Sequence, residues 1–178
     1  MKAALIVPVR AAILDAHRPA LDPSHALGLP PHVTVLFPFG APSEIGADGL
    51  AHLARVIEGV PAFGAEFASV DWFGRDVAWL RPVDDTGFRE LTAAVHAAFP
   101  RFRPYGGAHD EVIPHLTIGT APPAALGQLR EAAANVRQAL PIRTSVDAVD
   151  YGVLTGDAHS WTVRHRLPLG SPDVGGGP

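Results

Sequence analysis

The stretch Pro31-His32-Val33-Thr34-Val35 returns later in the chain as Pro114-His115-Leu116-Thr117-Ile118. Each copy reads proline, histidine, apolar, threonine, β-branched residue, and no other feature limits the possible folds as much. Successive side chains of a strand point to opposite faces, so residues two apart share one. As strands, the two stretches put His32 with Thr34, and His115 with Thr117, on one face. Val33, Val35, Leu116 and Ile118 then point the other way, into a core. A proline at the first position of a strand interrupts no ladder bond. Both copies run into a short loop containing proline or glycine, and then into a segment of helical period. The chain therefore carries one strand–loop–helix device twice.

A single histidine on a strand is usually a surface residue or a satisfied core residue. Repetition changes that reading, because packing has no use for a polar pair that recurs with its proline and its context. The spacing does not suit zinc, which is often held by two histidines at i, i+4 on a helix, and threonine is a poor ligand for it. No serine or cysteine nucleophile is indicated. Two imidazoles, with reference pKa about 6.5, can instead exchange roles near neutral pH, one neutral as base and one charged as acid. Two hydroxyls can donate hydrogen bonds to anionic oxygens. This inventory suits in-line displacement at phosphorus. His32 and His115 are the expected catalytic pair, with Thr34 and Thr117 binding the phosphate.

Composition bounds the rest. With 178 residues, 47% hydrophobic and 18% charged, the chain is globular and long enough for one substantial core. No apolar run approaches the roughly 18–20 residues of a membrane span, and 3–9 reads as a first strand rather than a signal-peptide core. Without cysteine there is no disulfide framework and no thiolate metal site, so a cytoplasmic protein is expected. The net charge is −4 and Lys2 is the only lysine, a balance that argues against a broad footprint for long nucleic acid. A local pocket for a small phosphate fits it.

Along the chain, a short helix is expected from Arg10 to about Arg18, and the motif strands at 32–37 and 115–120. Pro38 to Gly46 reads as a loop, and Asp48 as the N-cap of a helix burying Leu50, Leu53, Ala54 and Ile57. Strands at 62–73 and 77–82, split by Gly74-Arg-Asp76, read as a hairpin. Thr86 is a candidate cap for a helix with Phe88, Leu91 and Val95 inward. Pro122 and Pro123 suit the first turn of a third helix. Strands at about 142–154 and 159–167 follow. The expected domain is 1–168, with 169–178 a disordered tail. Short turns between strands favour an antiparallel or mixed α+β fold over a doubly wound one.

These residues carry a resemblance. The chain resembles the two-histidine (2H) phosphoesterase superfamily in its 2'-5' RNA ligase-like branch, whose paired His-x-Thr-x motifs match His32-Val-Thr34-Val and His115-Leu-Thr117-Ile. The resemblance extends to 27–39 and to Pro104-Tyr-Gly-Gly107, and covers about residues 3–168. It implies a bilobal α+β fold, two pseudo-symmetric antiparallel or mixed sheets with flanking helices around a central cleft. It also implies metal-independent hydrolysis or formation of phosphodiesters, on 2',3'-cyclic nucleotides or related small cyclic phosphates, with no cofactor. The expected partners are a small nucleotide, cyclic phosphate or RNA end, and no membrane, for a monomer. Members acting on RNA ends commonly carry an arginine just after the second motif, where this chain has Gly119 and Thr120. That departure favours a small substrate. A binding module without turnover is the alternative, and a metal-dependent hydrolase drawing on the other histidines is a third reading.

Lesser candidates follow. Tyr105, before the second motif, is placed either to touch substrate or to pack on a lobe. Arg81, Arg101, Arg103 and Arg164 are possible phosphate partners, Trp161 reads as core, and His17, His25, His52, His96, His109, His159 and His165 read as structural or exposed.

Overall fold

Among the described residues, period-two alternation and β-branched residues build eight strands, and three amphipathic helices cover one face of them. The structure is a computed structural model and describes residues 2–107, 112–156 and 160–172. The strands are β1 (Lys2–Pro8), β2 (His32–Phe39), β3 (Phe63–Phe73), β4 (Val77–Pro82), β5 (Leu116–Thr120), β6 (Ile142–Val146), β7 (Ala148–Leu154) and β8 (Thr162–Pro168). Their order is β6-β3-β4-β5-β2-β1-β7-β8, and every neighbouring pair is antiparallel. Two four-stranded halves thus meet at the motif strands β2 and β5, where one registered pair, Val33 with Leu116, joins them. This is the two-lobed α+β architecture that the family resemblance implies.

The core lies on one side. Leu5 and Val7 of β1, Val33 and Val35 of β2, Leu80 of β4, and Leu116 and Ile118 of β5 are fully buried there. Three helices close over them: α4 (Pro42–Glu58) through Leu53 and Ile57, α5 (Thr86–Ala98) through Phe88, Leu91 and Val95, and α6 (Leu126–Gln138) through Leu129, Ala132, Ala133 and Val136. Each buried valine, leucine, isoleucine or phenylalanine among them contributes about 1.5–3 kcal/mol. The opposite face carries the polar halves of the motifs.

Several boundaries differ from the sequence reading. Three one-turn helices, α1 (Ala12–Asp15), α2 (Arg18–Leu21) and α3 (Pro23–Ala26), replace the single short helix expected between Arg10 and Arg18. Pro19 and Pro23 each stand in a first turn, where proline starts a helix but cannot continue one, and the Asp22 carboxylate caps Ser24. Helix α4 begins at Pro42 rather than near Asp48. The Glu44 carboxylate accepts from the Ala41 N–H at 2.6 Å, and Gly46 breaks the helix with φ +64°. Thr86 is the first helical residue of α5, not its cap; Asp84 accepts from the Thr86 N–H at 2.9 Å. His115 lies one residue before β5.

The stretch 142–154 is two strands with only Asp147 between them, each paired in a different half: β6 with β3, β7 with β1. The chain thus crosses from β6, the edge strand of one half, to β7, the strand next to the edge of the other, and the sheet curls to allow it. The tail boundary also moves. Leu169 is buried, its N–H donates to Asp147 O at 2.8 Å, and Gly170 exchanges hydrogen bonds with Val60 and Ala62. Residues 173–178 of the expected tail lie outside the described residues. Trp161 packs on the open face against Ala4, Ile6 and Leu29, not in the main core. Its ring occupies the space above Gly152, where a Cβ would come within 2.3 Å of it.

Candidate active site

Antiparallel pairing puts the two motifs in a reciprocal arrangement. Val33 faces Leu116, so one step in either direction sets His32 opposite Thr117 and Thr34 opposite His115, all on the open face. The valine and leucine are fully buried, while the two histidines and two threonines are half-buried. Four sequence-predicted residues therefore meet at the junction of the halves.

Both imidazoles are held the same way. His32 Nδ1 lies 2.7 Å from Pro30 O, and His115 Nδ1 lies 2.7 Å from Ile113 O, in each case the carbonyl two residues earlier. A carbonyl can only accept, so Nδ1 carries the proton and Nε2 is left to meet a ligand. The intervening prolines, Pro31 and Pro114, hold the preceding residues near extended geometry, which aims those carbonyls. Burial is the main cause that pushes both histidines below their ordinary value. The carbonyl bonds oppose it in both, and at His32 the Asp22 charge opposes it too while Arg18 and His115 add to it. His32 therefore feels the charge of His115, as expected of groups that share a site.

The two sides of the site differ. At His32 the Arg18 guanidinium is buried with its partner Asp22: Nε donates to the carboxylate at 2.8 Å, and the terminal nitrogen donates to Ser24 Oγ at 3.1 Å and Leu29 O at 2.7 Å. Asp22 and Ser24 line a recess of about 270 Å³ with Pro31, His32, Thr117 and Thr120. At His115 the lining is aromatic. Phe73 approaches the imidazole edge-on at 5.0 Å, Trp79 at 5.8 Å, and the two aromatic rings stack at 4.6 Å.

Tyr105 joins the site. It is half-buried in the turn Pro104–Gly107 with φ +51°, and its hydroxyl is hydrogen-bonded to the Thr34 side chain. Burial raises its pKa, the Thr34 bond opposing. A non-glycine residue in left-handed backbone is uncommon and tends to mark a functional position. Arg101 lies elsewhere, donating to Glu44 O and covering the Phe102 ring. Arg103 borders the turn of Tyr105 beside Gly107, and Arg164 is exposed on β8. His109 and His159 lie outside the described residues. The sequence reading did not single out Arg18, Asp22, Phe73 or Trp79. The available signals were an arginine between Leu14 and Leu21, the Asp-Pro-Ser cap, and the alternation in Val77-Ala-Trp79-Leu-Arg81.

Comparison with known proteins agrees with the fold. TT0787 of Thermus thermophilus superposes with a TM-score of 0.63 at 20% identity, covering 96% of this chain and 99% of that one. The E. coli LigT structure with 3'-AMP gives 0.58 at 16% identity over 94% and 97%, and the LigT structure with NADP+ gives 0.56 at 17% over 96% and 98%. These likenesses show a shared fold. No curated protein matches at the sequence level. No helix among the described residues is long and apolar enough to cross a membrane. The family described as the 2'-5' RNA ligase superfamily matches residues 6–158, most of the chain, and the protein belongs to that superfamily.

Proposed function

We propose that this chain is a metal-independent phosphodiesterase that opens a 2',3'-cyclic nucleotide or related small cyclic phosphate, with His32 and His115 as acid and base. The observation that carries the reading is the matched pair of imidazoles, each tied through Nδ1 to the carbonyl two residues before it and each set opposite the other motif's threonine. A neutral imidazole presents a lone pair at Nε2 and takes a proton from water as the water oxygen bonds to phosphorus. The P–O bond to one ribose oxygen breaks, and that oxygen takes a proton from Nε2–H of the second, charged imidazole. The product is a phosphomonoester, and the two histidines end with protonation states exchanged. Thr34 and Thr117 donate to the non-bridging oxygens, where charge builds, and Tyr105 orients Thr34. The two histidines are held alike, and one of them serves as the base while the other serves as the acid. With an alcohol in place of water, the same exchange opens the cyclic phosphate into a phosphodiester, which is the ligase direction.

A nucleotide as substrate is supported by the structural neighbour LigT, which has been solved with 3'-AMP, ATP and NADP+. A short substrate is supported by the net charge of −4 and by Gly119 and Thr120 after the second motif. The absence of cysteine supports a cytoplasmic setting. The test is to incubate the chelated protein with 2',3'-cyclic mononucleotides, cyclic-phosphate-ended oligonucleotides and 2'-5'-linked dinucleotides, reading products by phosphorus NMR. Turnover of the mononucleotides is expected, and His32→Ala or His115→Ala should lower it by about 10²–10⁴. Binding without turnover on every substrate would establish the binding-module reading instead.

A further inference from the structure

The reciprocal motifs have unlike outer neighbours. Beyond β2, strand β1 sets Pro8 opposite His32 and Ile6 opposite Thr34, an apolar flank. Beyond β5, strand β4 sets Trp79 opposite Thr117, and Leu80 opposite Leu116. One further step brings Arg81 beside His115, on the same face as Trp79. The contacts agree: the Arg81 guanidinium carbon lies 4.9 Å from the Trp79 ring, which is itself 5.8 Å from His115.

This arginine is available to a ligand. Its Nε and one terminal nitrogen donate to the same Asp71 oxygen, at 2.8 and 2.5 Å, but both side chains of that pair are open to solvent, at 51% and 40%. An exposed pair contributes at most about 1 kcal/mol, so an incoming anion can share the guanidinium at little cost. Three other arginines are committed elsewhere: Arg143 to Glu66, Arg166 to Asp147, and Arg18 to its buried network. Gly119, directly after the second motif, cannot supply a replacement. A Cβ at Gly119 would stand 2.7 Å from Leu21 Cβ and 3.1 Å from Leu21 O, so that position admits no side chain.

We infer that Arg81 is a specificity-determining residue that binds a second anionic group of the substrate, on the His115 side of the reacting phosphate. Resting on the cyclic-phosphate reading above, this names the substrate class as a cyclic phosphate that carries a further phosphate. Neighbouring strands lie about 4.8 Å apart, so the second group sits one to two strand spacings from the first. A nucleoside 2',3'-cyclic phosphate with a 5'-phosphate has that reach. The planar fork suits a phosphate bidentately, which a lysine would not match.

The experiment compares kcat/KM for nucleoside 2',3'-cyclic phosphates with and without a 5'-phosphate. The wild-type protein should prefer the 5'-phosphorylated form by about ten- to a hundredfold, the range of one charge-assisted contact. Arg81→Gln should bring that ratio close to one, chiefly through KM, and Arg81→Lys should leave an intermediate ratio. Arg143→Gln, which breaks an exposed pair on an outer strand, should keep the wild-type ratio. An unchanged ratio in Arg81→Gln overturns the inference even if turnover is normal. If no cyclic phosphate is turned over, the function proposed above fails, and calorimetric titration with a nucleoside 3',5'-bisphosphate against the 3'-monophosphate decides the matter alone. A preference for the bisphosphate that is lost in Arg81→Gln upholds the role of Arg81, and equal affinities overturn it.

Discussion

Replacing Arg18 by methionine should be one of the most damaging single changes outside the hydrophobic core. The guanidinium is 1% exposed and makes three hydrogen bonds, to Asp22, Ser24 and Leu29 O. Methionine fills much of the volume but leaves Asp22, whose side chain is 8% exposed, without its counter-charge. Breaking one partner of a buried pair costs about 3–5 kcal/mol. Asp22 keeps the Ser24 N–H at 2.9 Å and the Ser24 hydroxyl at 2.7 Å as donors, which puts the expected loss at the lower end. A domain of 150–250 residues shifts by about 2–4 °C per kcal/mol, so the midpoint should fall by roughly 6–12 °C. Thermal and urea unfolding followed by circular dichroism measure this. The double variant Arg18→Met, Asp22→Asn removes the stranded charge and should recover at least half the loss. A single variant within about 1 kcal/mol of wild type, or a double variant as unstable as the single, would refute the reasoning.

Other expectations follow from the same site. Because burial pushes both histidines below 6.5, and kcat/KM reports the free enzyme, its bell-shaped pH profile should peak on the acidic side of 6.5. The two limbs belong to the coupled pair. Stability should respond as well. A histidine whose folded pKa is depressed takes up its proton more readily unfolded, so its contribution is whole above about 6.5 and is lost as pH falls toward the folded value. Urea midpoints should therefore fall between about pH 7 and pH 5 more steeply in wild type than in His32→Gln, His115→Gln. Tyr105→Phe removes one neutral hydrogen bond to Thr34 and should lower kcat/KM by about two- to tenfold, less than loss of either histidine.

The site was legible because strand periodicity is local. Nothing beyond alternation was needed to put His32 and Thr34 on one face with Val33 and Val35 behind, and the same holds for the second copy. The neighbours of the motifs depend on strand order, so Trp79 was not legible as one, and Arg81 stood only as one of four possible phosphate partners. Trp79 and Arg81 alternate with Ala78 and Leu80 in plain sight, yet only the pairing of β4 with β5 brings them to His115. Arg18 illustrates the same limit. Its i, i+4 spacing to Asp22 is a helical one, but α2 and α3 are proline-started single turns, and nothing local in the sequence brings the pair to the His32 recess. The continuous apolar and polar mixture of 142–154 likewise reads as one strand, while Asp147 divides it between the two halves of the sheet.

The central claim is that one histidine withdraws a proton from the attacking water while the other delivers one to the leaving oxygen. A substrate whose leaving group needs no proton separates the two. Rates of His32→Ala and His115→Ala should be measured on a cyclic phosphate and on a nitrophenyl phosphodiester. On the cyclic phosphate both variants should lose about 10²–10⁴ in rate. On the nitrophenyl ester one variant, the one lacking the acid, should regain most of its activity, and the other should stay slow. Equal recovery of both, or near-wild-type turnover of the cyclic phosphate by either, would contradict acid–base catalysis by this pair.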